Sequence, residues 1–141
     1  MTRWAGGALV LGTLGALVGC GPSGPLGNPC LPEPLTVAPA QAPAGSTVTL
    51  SSPGFGCDAE YPAGQEYQLT LGLLGRQGPV DLGSVPVERN GSFSAQVTIP
   101  ADVSTGPAGI GVGGSPYDDC DDTAGASCAG YWVDLAVLPA G

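Results

Sequence analysis

Apolar residues in this chain recur in short, strictly alternating runs, and glycine or proline separates one run from the next. The clearest runs occupy residues 67–73, 93–99 and 131–137. A period of two predicts a β-strand with one buried and one exposed face, whereas a helix repeats its apolar positions every three to four residues. From residue 30 onwards, proline and glycine interrupt every stretch that might otherwise form a helix. The sequence therefore predicts an all-β fold of seven short strands.

Two sheets packed face to face would give each predicted strand one dry and one wet face. A closed barrel is the alternative architecture. The apolar pairs in residues 80–82 and 85–87 differ in parity, which indicates a β-bulge near Gly83 and Ser84. The dipeptide at residues 90–91, Asn-Gly, is typical of a two-residue β-hairpin turn.

Several segments resemble the bacterial immunoglobulin-like domains of cell-surface proteins; they are residues 37–39, 44–50, 54–57 and 90–100, followed by Gly106 and Ile110. The resemblance is one of turns and strands, and it covers residues 34–138. It implies a seven-stranded immunoglobulin-like β-sandwich over residues 30–141. Such domains serve as spacers, adhesion modules and carbohydrate- or protein-binding modules. Unlike antibody domains, the chain has no tryptophan between paired cysteines, and Trp132 lies on its last predicted strand.

The N-terminus has the features of an export signal. Arg3 is followed by an apolar stretch over residues 5–19 with small residues at its end. Residues 17–20, Leu-Val-Gly-Cys, resemble the lipobox of bacterial lipoproteins, which implies cleavage in front of an acylated Cys20. An ordinary secretory signal cleaved near Gly19 is the alternative, but it leaves the cysteine unexplained. The apolar stretch is shorter than the roughly 20 residues that a transmembrane helix needs.

The lipobox resemblance divides the chain into a signal peptide (residues 1–19), a lipidated cysteine with a Gly- and Pro-rich tether (20–29) and a folded domain (30–141). It implies a protein of the bacterial cell envelope, exported and held to a membrane by lipid. The residue after the cysteine is Gly21 and not an aspartate. This resembles lipoproteins sorted to the outer membrane in bacteria that have two membranes.

Four further cysteines, Cys30, Cys57, Cys120 and Cys128, fit two disulfides in an exported domain. A zinc site would need all four thiolates, since the chain has no histidine, and their spacings exceed the usual ones. The immunoglobulin-like topology implies that all four lie at one pole. It favours the pairs Cys30–Cys57 and Cys120–Cys128, and a bond from Cys57 to Cys120 or Cys128 is the rival.

The same last loop carries an acidic run of Asp118, Asp119, Asp121 and Asp122. We interpret it as a solvated loop whose charge keeps an anchored protein soluble. A calcium site is the alternative, because carboxylate oxygens are ligands that Ca²⁺ prefers, but the run does not follow the EF-hand pattern. No cofactor is predicted.

Enzyme chemistry is not predicted either. The chain has no histidine or lysine, which removes Ser-His-Asp, Cys-His and Ser-Lys arrangements. Asp58 with Glu60, or the acidic run, are the remaining acid–base candidates, but a Gly- and Ser-rich loop is a poor match for a rigid carboxylate cleft. The net charge of −9 argues against nucleic acid as a partner, because that affinity rests on lysine and arginine.

The sequence thus predicts a non-catalytic, membrane-anchored envelope lipoprotein with an immunoglobulin-like binding or adhesion module. Its recognition surface would be the loop over residues 113–130, with Tyr117 and Trp132 as candidate contact residues. A structural spacer, or a subunit of a lipoprotein assembly, is the alternative; an exposed apolar patch around Tyr131 and Trp132 would favour the assembly. The expected partners are the membrane, through the lipid anchor, and an envelope protein or glycan.

Overall fold

The computed structural model describes residues 30–75, 78–119 and 129–141. Within those ranges the regular structure is β-strand apart from one short 3₁₀ helix, Pro116–Asp119. The predicted all-β class is therefore confirmed. The strands are β1 (Thr36–Ala38), β2 (Gln41–Pro43), β3 (Thr47–Ser52), β4 (Glu66–Leu73), β5 (Val80–Pro86), β6 (Phe93–Thr98), β7 (Gly106–Gly113) and β8 (Trp132–Leu138).

The strands form two sheets, ordered β1-β3-β6 and β2-β8-β7-β4-β5. All neighbours are antiparallel except β2 and β8, which run parallel. The described strands do not close into the barrel given as the alternative. Eight strands are present where the sequence predicted seven, because β1 and β2 belong to different sheets. A strand as short as β2 carries too few residues to show an alternation.

The inward-facing residues of both sheets form one buried cluster. Leu69 and Leu71 on β4 are fully buried, as are Leu50 on β3 and Ile110 on β7. The alternating run over residues 67–73 is therefore confirmed as a strand with one dry face. Because β4 lies between β5 and β7, it is an interior strand of the larger sheet.

The predicted bulge is present, and the predicted hairpin is not. Leu69 pairs with Gly83 while Thr70 pairs with Asp81, so Leu82 is the extra residue on β5. The chain does turn at Gly91, whose N–H donates to the Glu88 carbonyl over 2.8 Å. However, β5 and β6 lie in different sheets, so this turn carries the chain from the larger sheet to the smaller one. A turn signal fixes a local reversal but not the sheet that the next strand joins.

The signal peptide and tether (residues 1–29), Cys120, Cys128, Asp121 and Asp122 lie outside the described residues. The predictions made for them, including lipidation of Cys20, stay predictions. Among the residues described, no helix is long and apolar enough to span a membrane.

Candidate functional site

One end of the fold gathers every tyrosine and phenylalanine of the chain. Tyr67 and Phe93 are the first inward-facing residues of β4 and β6, and Tyr131 directly precedes β8. The other members come from the loop after β3 and from the 3₁₀ helix. We call this set the aromatic pole; its members are Phe55, Tyr61, Tyr67, Phe93, Tyr117 and Tyr131.

The six rings form an unbroken array. Tyr67 lies at its centre, with its ring centroid 5.5 Å from Phe93, 5.9 Å from Tyr61 and 6.1 Å from Tyr131, all edge to face. Tyr117 stacks on Tyr131 at 4.7 Å with an interplanar angle of 6°. Phe55 extends the other end, 4.9 Å from Tyr61. These separations are typical of favourable aromatic pairs.

Each phenol of the pole has a hydrogen-bond partner. The hydroxyl oxygens of Tyr61 and Tyr67 lie 2.8 Å apart. The Tyr131 hydroxyl donates to the Glu33 carbonyl over 2.9 Å and lies 2.7 Å from Oγ of Ser52. Tyr117 donates to the carbonyl of residue 32 over 3.1 Å. The hydrogen bonds therefore tie the pole to the segment that precedes β1.

Burial raises the pKa values of three of these phenols. Loss of solvation raises the pKa of Tyr67 far above its usual value, and the hydrogen bond to Tyr61 raises it further. Burial also raises the pKa of Tyr131 to about 12. The pKa of Tyr61 is raised by burial as well, against the opposing effect of its hydrogen bond with Tyr67. These three side chains hold their hydroxyl protons at neutral pH.

A disulfide between Cys30 and Cys57 lies beside the pole, with the two Cα atoms 6.2 Å apart. Next to it, Pro32 bridges Phe55, and the Glu33 N–H donates to the carbonyl of residue 54 over 2.8 Å. The predicted Cys30–Cys57 pair is thus confirmed. It joins the segment before β1 to the loop after β3, as the predicted topology requires.

The other predicted site residues are dispersed. Tyr117 is half-buried in the pole rather than exposed for contact. The carboxylate of Asp118 accepts a hydrogen bond of 2.6 Å from the Gly114 N–H, while Asp119 is exposed. Trp132 is 47% exposed on the outer face of the larger sheet, whereas Tyr131 is 4% exposed, so the two form no common apolar patch.

The acid–base candidate Glu60 forms an exposed ion pair with Arg89 at 2.8 Å. Exposed pairs of this kind contribute little stability. Within residues 30–75, 78–119 and 129–141, no three His, Cys, Asp or Glu side chains come together in a way that suits a metal ion. The prediction that the chain takes no cofactor remains untested, since part of the acidic run lies outside these ranges.

No family model matches the chain, and no curated protein matches it significantly. Among solved structures, a superoxide reductase (neelaredoxin) from Ignicoccus hospitalis is similar over 76% of this chain and 80% of its own, with 15% identity and a TM-score of 0.42. That protein is an enzyme and not an adhesion or spacer module.

The predicted function was a non-catalytic binding or adhesion module, with a spacer or an assembly subunit as the alternative. The comparison contradicts this prediction, and we do not retain it. It also gives no support to the expectation that the chain is not an enzyme. The likeness is too distant to bring the activity of the solved protein to this chain.

Proposed function

We propose that the aromatic pole is a one-electron redox site that consumes oxygen-centred radicals. The observation that carries the proposal is the Tyr61–Tyr67 pair, two phenols with hydroxyl oxygens 2.8 Å apart at the centre of a continuous aromatic array. Phenols are among the few protein side chains that give up one electron and one proton together. The chain places all four of its phenols in this array.

The reaction balances without a metal or cofactor. A peroxyl radical takes a hydrogen atom from the hydroxyl of a tyrosine and becomes a hydroperoxide, which leaves a neutral phenoxyl radical on the tyrosine. Two neighbouring phenoxyl radicals then couple through ring carbons and form one carbon–carbon bond. In total, two peroxyl radicals and two tyrosines give two hydroperoxides and one dityrosine.

The geometry of the pole suits this chemistry. Tyr61 and Tyr117 are half-buried at its edge, where a peroxyl radical would meet them first, while Tyr67 is fully buried. Contacts between the rings let an electron vacancy move inward from the edge. A phenol ordinarily has a pKa of about 10 and is protonated at neutral pH, so hydrogen-atom transfer is the route there.

We also propose that the two sheets form an immunoglobulin-like sandwich. The order β1-β3-β6 corresponds to strands A, B and E of that fold, and β8-β7-β4-β5 corresponds to G, F, C and C′. The pairing of β2 with β8 would make β2 the second half of a divided strand A. The strand order and the directions of pairing support this assignment.

We further propose the lipid anchor at Cys20 and a location in the cell envelope. The lipobox resemblance supports them, and so does the Cys30–Cys57 disulfide, since such bonds persist in oxidising compartments outside the cytoplasm. A redox site there would meet radicals formed at the membrane surface. Lipid peroxyl radicals are the oxidants of the required class.

The test is competition for peroxyl radicals generated by a water-soluble azo initiator. The full chain should delay the bleaching of a fluorescent radical probe, and dityrosine should appear by fluorescence and as a mass loss of two hydrogens. The variant with both Tyr61→Phe and Tyr67→Phe should shorten the delay. Replacing both partners removes the hydrogen bond without leaving an unpaired hydroxyl, so the fold should tolerate the change.

The matched control is Trp132→Phe, which removes an exposed oxidisable ring outside the pole. We expect this control to protect the probe nearly as long as the unaltered chain does. If the double tyrosine variant protects as long as the unaltered chain, or if Trp132→Phe abolishes protection, the pole is not the redox site.

A further inference from the structure

The smaller sheet carries no charged residue on any of its strands. The chain has 12 acidic residues and a net charge of −9, and the strands of the larger sheet hold three of those acids, Glu66, Asp81 and Asp134. A net charge far from zero normally keeps copies of a protein apart. Of the two sheets, the smaller one is therefore the part of the sandwich that a second copy can approach with less repulsion.

The two sheets have four edge strands, and three of them carry features that discourage pairing with another chain. β1 and β2 are only three residues long, and β2 ends in Pro43. β5 carries the bulge at Leu82, the carboxylate of Asp81 and, at its end, Pro86. Short length, bulges, charge and proline are the means by which edge strands avoid unwanted partners.

The fourth edge strand, β6, has none of these features. Its six residues include no charge and no proline, and its pairing with β3 is regular throughout. The strand extends over about 20 Å. On its other side, none of the described strands pairs with it. Among the strands that the structure describes, β6 is thus the one long edge without protection.

The backbone groups on the free side of β6 belong to alternate residues. Ile99, just beyond the strand, donates its N–H to the carbonyl of Ser46 over 2.8 Å, so its backbone faces β3. Backbone direction alternates along an antiparallel strand. The N–H and C=O groups of Ser94, Gln96 and Thr98 therefore face away from β3. All three residues are exposed, so the free side offers a donor and an acceptor at each position.

We propose that β6 pairs with β6 of a second copy of this chain, antiparallel about a two-fold axis, so that the two smaller sheets become one continuous sheet. An axis at Gln96 places Gln96 opposite itself and Ser94 opposite Thr98 of the second copy. Each of these pairs can hydrogen-bond through its side chains as well as its backbone, and none brings two charges together. Such self-complementarity is what an interface around a two-fold axis requires.

This pairing limits itself to a dimer. It occupies the one long unprotected edge of each copy, so the product is closed and does not grow into a fibre. A single strand is much smaller than the roughly 20–30 residues that each side of a standard interface contributes, so we expect a weak, concentration-dependent dimer. The inference does not depend on the proposed redox role, because Ser94, Gln96 and Thr98 are not members of the aromatic pole.

The first test is cross-linking of cysteine variants of the full chain with a short bismaleimide. In the proposed dimer the two Cα atoms at position 96 lie about 5.5 Å apart, whereas those at position 94 lie about 14 Å apart. Because the reagent is chosen too short for the longer distance, Gln96→Cys should give about tenfold more linked dimer than Ser94→Cys. A mixture of Ser94→Cys with Thr98→Cys should link efficiently. The unaltered chain measures the background from the natural cysteines.

A charge substitution tests the same contact without a reagent. Gln96→Glu places two carboxylates opposite each other at the axis, and it should weaken dimerisation by about threefold in sedimentation velocity. Thr47→Glu is the matched control, because Thr47 is exposed on the neighbouring strand β3, away from the edge. We expect it to dimerise nearly as well as the unaltered chain. Added salt should strengthen the dimer, since it screens the repulsion between two acidic copies.

The proposal fails if Gln96→Cys gives no more linked dimer than the unaltered chain, in which case any strand added to this edge comes from another protein. If Ser94→Cys links to itself as readily as Gln96→Cys, the register is wrong. Equal weakening by Thr47→Glu and Gln96→Glu would place the contact on the face of the sheet and not at its edge. A dimer that weakens with added salt would contradict an uncharged contact.

Discussion

The hydroxyl of Tyr131 lies 2.7 Å from Oγ of Ser52, and this contact joins the two sheets at the aromatic pole. Tyr131 leads into β8 of the larger sheet, and Ser52 is the last residue of β3 in the smaller one. Both residues are buried, at 4% and 5% exposure.

Removing this hydroxyl should weaken the fold. We expect Tyr131→Phe to lower the free energy of unfolding by about 1–3 kcal/mol, because it removes the contacts of the hydroxyl with the Glu33 carbonyl and with Oγ of Ser52 at a buried position. Urea denaturation measures the change. Tyr117→Phe is the comparison, since the Tyr117 hydroxyl is only part-buried, and it should cost less than Tyr131→Phe. Equal costs for the two variants would contradict the importance of the contact between sheets.

Alkaline pH should destabilise the protein through the same residue. A phenol with a higher pKa in the folded chain favours the fold fully below its usual value of about 10, and that contribution is lost as the pH rises through the folded value. With the pKa of Tyr131 at about 12, the free energy of unfolding should fall between about pH 10 and pH 12. The raised pKa values of Tyr61 and Tyr67 act in the same direction.

Urea midpoints across this pH range measure the effect, and the Tyr131→Phe variant should show a shallower fall. Stability that stays constant or rises between pH 10 and pH 12 would argue against buried, protonated phenols in the folded state.

Much of the strand pattern could be predicted from the sequence because alternation is a local property. The same alternation also indicates that two of the tyrosines are buried. Tyr67 shares its parity with Leu69, and Tyr131 shares its parity with Val133 and Leu135, so both tyrosines belong to buried faces. An exposed apolar patch around Tyr131 and Trp132, which would have favoured an assembly subunit, is therefore inconsistent with the alternation.

The aromatic pole as a whole could not be predicted in this way. Its members come from separate loops and strands, and their contacts depend on which strands become neighbours across the two sheets. The turn at Asn90 and Gly91 illustrates the limit, because its dipeptide is the same whether the chain returns along one sheet or crosses to the other. In contrast, the Cys30–Cys57 bond could be predicted, since the first and second strands were expected to be antiparallel neighbours.

The disulfide should contribute measurable stability. Cys30 and Cys57 are 27 residues apart, so closing this loop in the unfolded chain is worth about 3–4 kcal/mol by the loop-entropy model. The double variant Cys30→Ser, Cys57→Ser should lose up to this amount while keeping its β-sheet circular dichroism.

The control is the double variant Cys120→Ser, Cys128→Ser. Peptide mapping of the unaltered protein should recover a Cys120–Cys128 bond. A mapped bond from Cys57 to either of those cysteines would contradict the pairing.

Two glycines with similar backbone conformations should respond differently to alanine. Gly54 and Gly64 have φ angles of 92° and 85°. A Cβ atom at Gly54 would collide with the backbone of Asn90 and Ser92, whereas a Cβ atom at Gly64 would meet nothing within 4 Å. We expect Gly64→Ala to cost about 1–2 kcal/mol from the left-handed backbone alone.

Gly54→Ala should cost more than about 3 kcal/mol, because the collision adds overpacking to the same backbone strain. Thermal and urea unfolding compare the two variants. Equal losses would show that the turn at residues 90–92 moves aside at little cost.

The proposed anchor makes a prediction in the cell. Cys20→Ser should release the protein from the membrane fraction or leave its signal peptide uncut, since acylation of that thiol precedes cleavage in the lipobox scheme. Fractionation followed by mass spectrometry of the mature N-terminus checks this. An unmodified Cys20 on the mature protein would contradict lipidation and favour the ordinary secretory signal.

The position of the Cys30–Cys57 bond also has a mechanical consequence. Tension applied to the chain ahead of Cys30 passes through the sulfur atoms directly to Cys57, and from there to the loop that leads into β4. The backbone between the two cysteines, which contains β1, β2 and β3, is thereby bypassed and cannot be drawn out. A pull from a membrane would therefore load β4, an interior strand of the larger sheet, and would spare β1, β2 and β3.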